Sequence, residues 1–394
     1  MNDKLILITN PGSASRKYAL YQGETCLATL HFEYVNDQPY CEIAIDGVKT
    51  PVDLTISDLS QSASECERIL REQGVLKPDQ KIGVVAARVV APSRDFQLDQ
   101  IVTDEVIAKL EKVQSKAPLH TGVNLSEIKY FKEILPADVP VVAISDSSFH
   151  ATKSIEAFRY AIDAELQDKL DIGRFGYHGI SVSSIVEIMK RENILPEKLI
   201  VAHLGGGASI SAVVNGKSVD NSMGFTPNSG LMMATRSGDI DPSVAFVIKK
   251  ALGLDDEQME KYLNKQSGFL GLGGKSDDMR LVLEAERNGD ERAIVANKTY
   301  RYMLAKTIGA MAAAMNGVDA IVFTATVGER GADVREPICQ MLTYLGFTLD
   351  HDKNWNLDKN APLANLAADG SKPIYMIKTD ELREMARRTL VVLG

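Results

Sequence analysis

The chain has 394 residues, 45% of them hydrophobic and 25% charged, which is enough to bury a sizeable core and suits two or three globular domains. Its net charge of −9, with no run of Lys or Arg and no interleaving of aromatic and basic residues, excludes a nonspecific nucleic-acid binder. Cys26, Cys41, Cys66 and Cys339 show neither a CxxC nor a metal-ligand spacing with His, and no apolar run approaches 18 residues. A disulfide framework, a structural zinc site and a membrane helix are therefore not expected. The N-terminus enters a strand pattern by its fifth residue, leaving no room for a signal peptide, so a cytoplasmic protein is expected.

In chain order, Leu5 to Thr9 is an apolar strand, Asn10 to Ser15 a turn, and Lys17 to Tyr21 a second strand. Strand-like segments continue to about Val52. A helix over Ser62 to Gln73 is closed by Gly74, and Ile82 to Val90 reads as a buried strand carrying Arg88. A guanidinium in an apolar run needs an anion or a carboxylate, so a salt bridge and an anion site are both open. Thr103 to Val113 is a capped amphipathic helix, Ala117-Pro118-Leu119-His120 a turn, and Val123 to Leu135 a second helix. The strand Val141 to Ile144 delivers Asp146 to its carboxyl end, where ligands of α/β proteins gather and where Mg²⁺ is often held through water. Arg174-Phe175-Gly176-Tyr177-His178-Gly179 then places His178 between glycines, as a cleft residue or a structural one.

The stretch from Leu199 to Pro242 is the centre of the chain. A buried strand ends in His203, Gly205, Gly206 and Gly207 before a second strand, Ile210 to Val214, and such a turn lets a phosphate approach bare backbone N–H groups. The same strand, turn, strand unit begins at Leu5, about 195 residues earlier, which suggests an internal duplication. Two opposed phosphate hairpins, one bearing Asn10, Ser13, Ser15 and Lys17, would grip a polyphosphate from both sides of a cleft. Beyond it, helices are expected over Ser243 to Leu252, Gln258 to Leu263, Asp278 to Arg287 and Glu291 to Asn316, the methionines of the last being core. Ser267 to Ser276 imitates a P-loop but lacks its first glycine and a preceding buried strand. Asp319 to Thr324 is a strand leading into Ala325-Thr326-Val327-Gly328-Glu329, a nucleotide-site candidate, with Gly331 to Tyr344 as the following helix. Residues 349–370 read as an irregular excursion, Pro373 to Ile377 as a strand and Asp380 to Leu390 as a final helix.

Asn10-Pro11-Gly12-Ser13, Ala117 to His120, Ser145 to His150, Arg174 to Gly179, His203-Leu204-Gly205, Ser222 to Pro242 and Ser276 to Arg280 together resemble the acetate kinase family, in the family's order and over nearly the whole chain. The blocks Met223 to Pro227 and Thr235 to Asp239 are its most specific marks. The resemblance implies an α/β fold of the ribonuclease H-like type shared by sugar kinases, heat-shock chaperone ATPases and actin: two similar domains around a central cleft. Residues 1–150 plus 381–394 would form the N-terminal domain, and residues 151–380 the C-terminal one with the nucleotide loops. It implies a homodimer and reversible phosphoryl transfer between ATP and acetate, giving acetyl phosphate and ADP, with Mg²⁺, or Mn²⁺, as the metal.

Carried over by position, Arg88 and Arg236 match the arginines that hold the carboxylate and the transferred phosphoryl. His178 matches the histidine that stabilises the transition state. Asn10, Asp146 and Glu381 match residues at the metal and phosphates, and His120 and His203 match two further active-site histidines. Val90, Leu119, Tyr177 and Pro227 match the acyl pocket. Asp278 and Arg280 match residues near the adenine, beside the loop of Ala325, Thr326, Gly328 and Glu329. The chemistry is coherent on its own terms: a carboxylate is already ionised at neutral pH, so attack on phosphorus needs fixed positive charge rather than a general base.

The sequence also departs from the family. Ala325-Thr326 stands where members have Gly-Gly, Gly206 where they have Asn, Ala91 where they have His and Tyr177 where they have Phe, and Asn10-Pro11-Gly12 resembles the opening of butyrate kinases. Pyrophosphate or another nucleotide thus stands as an alternative donor, and propionate or butyrate as alternative acceptors. A chaperone-like ATP-binding module would need a further domain after Glu381, where a single helix is expected.

Overall fold

The structure, a computed structural model, describes residues 4–12, 15–274 and 276–394, with side chains except at 118–120. Eight strands form the first sheet: β1 (Leu5–Pro11), β2 (Ser15–Gln22), β3 (Thr25–Val35), β4 (Gln38–Ile45), β5 (Val48–Val52), β6 (Val84–Val89), β7 (Gln100–Ile101) and β8 (Val141–Ser145), ordered β5-β4-β3-β2-β1-β6-β8-β7. Six form the second: β9 (Lys198–Leu204), β10 (Ala208–Val214), β11 (Lys217–Asn221), β12 (Ala320–Thr324), β13 (Leu363–Asn365) and β14 (Ile374–Ile377), ordered β11-β10-β9-β12-β14-β13.

The suggested duplication is present in this topology. In the run β3-β2-β1-β6-β8 the first two pairings are antiparallel and the next two parallel, and β11-β10-β9-β12-β14 repeats both the order and the polarity. The parallel strands β6, β8, β9 and β12 are apolar runs because helices cover both faces of a parallel sheet. In β3 burial alternates residue by residue, the mark of a sheet region with one wet face.

Two compact units result, one of Met1–Phe149, Gly179–Ser184 and Asp380–Gly394, the other of His150–His178 and Ile185–Thr379. In the first, Leu5 and Leu7 of β1 face a core shared with the helices Ser62–Glu72, Asp104–Gln114 and Pro118–Ile134, while Ile6 and Ile8 face Met385 and Ala386 of the C-terminal helix Glu381–Leu393. In the second, the helix Glu291–Ala314 lies against β9 to β11 and buries Tyr300, Leu304, Ile308 and Met311, so Met311 is core as expected.

Three sequence expectations change. The helix expected from Val123 begins at Pro118, a residue whose fixed φ suits a first turn, so His120 lies within a helix rather than in a turn before one. The segment 325–329, expected as a loop, belongs to the helix Ala325–Arg330, and the helix expected over 331–344 runs only over Ala332–Gln340 before a 3-10 turn at Thr343–Leu345. The two helices break at Gly331, where a Cβ would meet the Val327 carbonyl oxygen at 2.7 Å. Residues 349–370 contain the helix His351–Trp355 and the strand β13, whose three residues are too short and too exposed to leave an apolar signature.

Candidate active-site residues

In the first unit the parallel register of β1, β6 and β8 brings Asn10, Arg88 and Asp146 together at the carboxyl ends of neighbouring strands. Arg88 donates from one Nη to Asn10 Oδ1 and from the other to Asp146 Oδ2, each at 3.0 Å, and Asn10 Nδ2 donates to Glu381 Oε2 at 3.0 Å. Both readings of Arg88 therefore gain: the salt bridge exists, yet its buried Nε has no hydrogen-bond partner. Burial disfavours the charged guanidinium, but the Asp146 and Glu381 carboxylates outweigh it and raise the pKa, so Arg88 stays a cation.

Lys17 sits opposite Asn10 in the β1–β2 ladder and is exposed, while Ser15 sits opposite Glu33 of β3. Val90 is buried, its backbone held by Asn124 and Thr121. Ser13 and the side chains of Leu119 and His120 lie outside the described residues. Two carboxylates flanking one arginine suit Mg²⁺, which takes one or two carboxylates and completes its shell with water and phosphate oxygens. Among the described residues no group of three or more His, Cys, Asp or Glu forms a closed metal cage, and this hydrated mode of binding needs none.

In the second unit the β9–β10 turn meets the arginine loop. Gly205 N–H is taken by the Gly207 carbonyl at 2.9 Å, so one of the three glycine amides expected to be bare is used inside the turn. What the turn gains from Gly207 is space: a Cβ there would lie 3.2 Å from His178 Nε2 and 3.5 Å from an Arg236 Nη. His203 stacks on His178 with ring centroids 4.0 Å apart, and His178 Nδ1 pairs with Ser209 Oγ at 2.9 Å. Ser209 and His203 face each other across β9 and β10, which is why both reach the same imidazole. Arg236 donates to the Pro227 carbonyl at 3.3 Å, tying the arginine loop to the Met223-to-Pro227 block. Tyr177 is buried in that block and its hydroxyl donates to the Phe225 carbonyl at 2.7 Å.

The third cluster lies where β12 enters its helix. Ala325 adopts φ +63, a left-handed conformation that is strained for any residue with a Cβ. A Cβ at Gly205 would lie 3.7 Å from that of Ala325, so Ala325 borders the glycine turn. Thr326, by contrast, lines a cavity of about 250 Å³ with apolar Met279, Leu283 and Val327, cationic Arg280, Arg287 and Arg330, and Asp333, which pairs with Arg287. Only half of the expected Ala-Thr wall therefore narrows this cavity. Asp278 caps the helix Met279–Arg287 and grips Arg280 Nε and Nη, and that contact first of all holds its own pKa low. Gly328 is a packing residue, with its carbonyl held by buried Arg335 at 2.7 Å. Glu329 accepts from the Thr379 N–H at 3.3 Å, and burial raises its pKa.

Sequence reasoning passed over His150, Asn221 and Ser209, which surround the Tyr177-His178 peptide, and Arg287 and Arg330 at the cavity. Only His150 lies in a motif, as the last residue of the Ser145-to-His150 block, where it was given no role of its own. The available signal was polarity inside apolar strands, as at Ser209 in β10 and Asn221 at the end of β11.

A sequence profile described as the Acetokinase family matches residues 5–387. The acetate kinase of Caldanaerobacter subterraneus subsp. tengcongensis is 41% identical over 395 residues, covering 98% of each chain. That of Halothermothrix orenii is 39% identical over 393 residues, again covering 98% of each. Among solved structures, Porphyromonas gingivalis acetate kinase matches with a TM-score of 0.87 at 32% identity, covering 99% of this chain and all of its own. A propionate kinase from Francisella tularensis matches at 0.88 and 33%, covering 98% of each.

Proposed function

The chain belongs to the acetokinase family, phosphotransferases with a carboxylate acceptor, and from that premise we propose that it transfers the γ-phosphoryl of ATP to acetate, reversibly and with Mg²⁺. The observation that carries the proposal is Arg236, fixed against Pro227 and beside Gly207 and the His178–His203 stack, because a loose phosphoryl-transfer transition state is stabilised by preorganised charge. In this reading Arg236 and His178 neutralise charge on the transferred group, Gly207 admits a phosphate oxygen, and Pro227 and Tyr177 bound the acyl methyl. Arg88 holds the carboxylate, with Val90, Leu119 and His120 around it and Asn10 orienting the guanidinium. Lys17, Ser13 and Ser15 meet phosphate on the first hairpin. Asp146, Glu381 and Asn10 would hold the hydrated Mg²⁺, which neutralises phosphate charge when bound. The acetate oxygen forms its bond to phosphorus as the bond to the ADP oxygen breaks, and no proton needs to move.

ATP rather than pyrophosphate is favoured by the cavity beside Thr326, whose apolar patch between arginines suits a purine nucleoside leading to phosphates. Propionate remains a second acceptor on the strength of the propionate kinase likeness. A homodimer is supported by the helix Pro242–Leu252, which buries none of its residues although Phe246 is 72% and Val247 67% exposed. A cytoplasmic location is supported by four free cysteines. The test is acyl-hydroxamate formation from acetate, ATP and Mg²⁺, with ADP measured in parallel. Equal yields of both, abolished by EDTA and restored by Mg²⁺, are expected, and ADP without acetyl phosphate would refute the reaction.

A further inference from the structure

Resting on the reading of His178 as a transition-state residue, we propose that His150 is a positioning residue for the reaction: with Asn221 it clamps the Tyr177 peptide and thereby holds the His178 backbone in its left-handed conformation. His178 has φ 60 and ψ 22, where a Cβ crowds the following carbonyl, so its surroundings must over-determine it. Tyr177, just before it, is bonded through both of its flanking peptide groups. Its carbonyl oxygen accepts from His150 Nε2 at 3.0 Å and from Asn221 Nδ2 at 3.3 Å, and its N–H donates to Asn221 Oδ1 at 3.3 Å.

His150 is fully buried and is itself oriented by Ser218, whose Oγ lies 2.8 Å from Nδ1. A carbonyl can only accept, so in the neutral ring Nε2 carries the hydrogen and Nδ1 accepts from the serine. The ring lies on the backbone of Gly176, where an added Cβ would sit 3.0 Å from His150 Cδ2 and Cγ and 3.1 Å from Asn221 Cβ. That contact, with φ +79 at Gly176, ties two consecutive residues, Gly176 and Tyr177, to one buried imidazole just before His178. The His178 ring, bonded to Ser209 and stacked on His203, is then aimed from a peptide that cannot rotate.

The test compares His150→Gln, whose Nε2 can still reach the Tyr177 carbonyl, with His150→Asn, whose shorter amide can reach Ser218 but not that carbonyl. Two readouts are taken: kcat and KM for acetate and ATP, and the ¹⁵N resonance of His178 Nδ1 in the ligand-free protein. In His150→Asn the His178 resonance should move and kcat should fall by about tenfold or more with KM within about twofold, since misplacement of a catalytic group acts on the transition state. His150→Gln should keep both near wild type. Asn221→Ser, which removes one bond from each peptide flanking Tyr177, including one on the carbonyl that His150 holds, should reproduce the His150→Asn pattern and serves if that variant fails to fold. An unmoved His178 resonance in His150→Asn overturns the clamp. A moved resonance with unchanged kcat overturns its role in the reaction, and equal losses in the Gln and Asn variants overturn the Tyr177 link. If the wild type makes no acetyl phosphate, the proposed function fails while the resonance still decides the clamp.

Discussion

Replacing Ala325 by glycine separates backbone strain from pocket size in the nucleotide loop. Ala325 is 8% exposed and sits at φ +63 at the start of the helix Ala325–Arg330, after Thr324 in β12. A left-handed alanine costs roughly 1–2 kcal/mol, and glycine returns about 0.5–1 kcal/mol of that as unfolded-chain entropy, so Ala325→Gly should gain about 0.5–1 kcal/mol. For units of this size that is a rise in Tm of about 1–4 °C by calorimetry. The alanine Cβ borders Gly205 rather than the cavity of about 250 Å³, so KM for ATP should stay within about twofold. Thr326→Gly, by contrast, removes a cavity wall and should change KM for ATP without gaining stability. Loss of stability in Ala325→Gly would refute the strain argument, and a large drop in its KM for ATP would refute the assignment of the Cβ to the glycine turn.

Arg236→Ala should lose about 10²–10³ in kcat while circular dichroism and Tm stay near wild type, the scale of one preorganised charge-stabilising donor, and a folded variant with wild-type turnover would contradict its role. Tyr177→Phe removes the hydroxyl bonded to the Phe225 carbonyl and should cost about 1 kcal/mol in denaturant melts. Because that hydroxyl is occupied inside the block, the order of kcat/KM for acetate, propionate and butyrate should not change, and a reversal would place the hydroxyl against substrate. Lys153 is half-buried and held near Asp220 and Arg174, and burial above all pushes its pKa down to about 8. The unfolded chain, with lysine near its ordinary 10.4, binds more protons between pH 8 and 10.4, so stability should rise with pH in that window. Relative to Lys153→Met the rise should be about 2 kcal/mol, discounted for partial exposure, and parallel stability profiles would show that the lysine is not buried.

Much of the fold was legible because its signals are local. β1, β9 and β12 are continuous apolar runs, and the duplication was visible as two strand, glycine turn, strand units. The first turn of the helix at Pro118 was missed because Pro118 also reads as a turn former and Thr121, buried against the Val90 carbonyl, is a polar residue satisfied only in three dimensions. The site was legible where one side chain advertises a chemistry, as with Arg88 in an apolar strand and His178 among glycines. It was not legible where function depends on pairing across the sequence. Asn221 meets Tyr177 across 44 residues, Glu381 meets Asn10 across 371, and Arg287 and Thr326 share a cavity although they lie on different helices. The strain at Ala325 is invisible in the sequence too, because alanine ordinarily marks an unstrained helix rather than a left-handed turn.

The most direct measurement is the initial rate of acetyl phosphate formation by the wild-type enzyme with ATP, GTP and pyrophosphate in turn, at saturating acetate and Mg²⁺. If Thr326 and the arginines around it form a nucleoside pocket, kcat/KM should be highest for ATP and at least about tenfold lower for pyrophosphate, which leaves the cavity empty. Pyrophosphate turnover equal to or faster than that with ATP would contradict ATP-dependent acetate kinase activity.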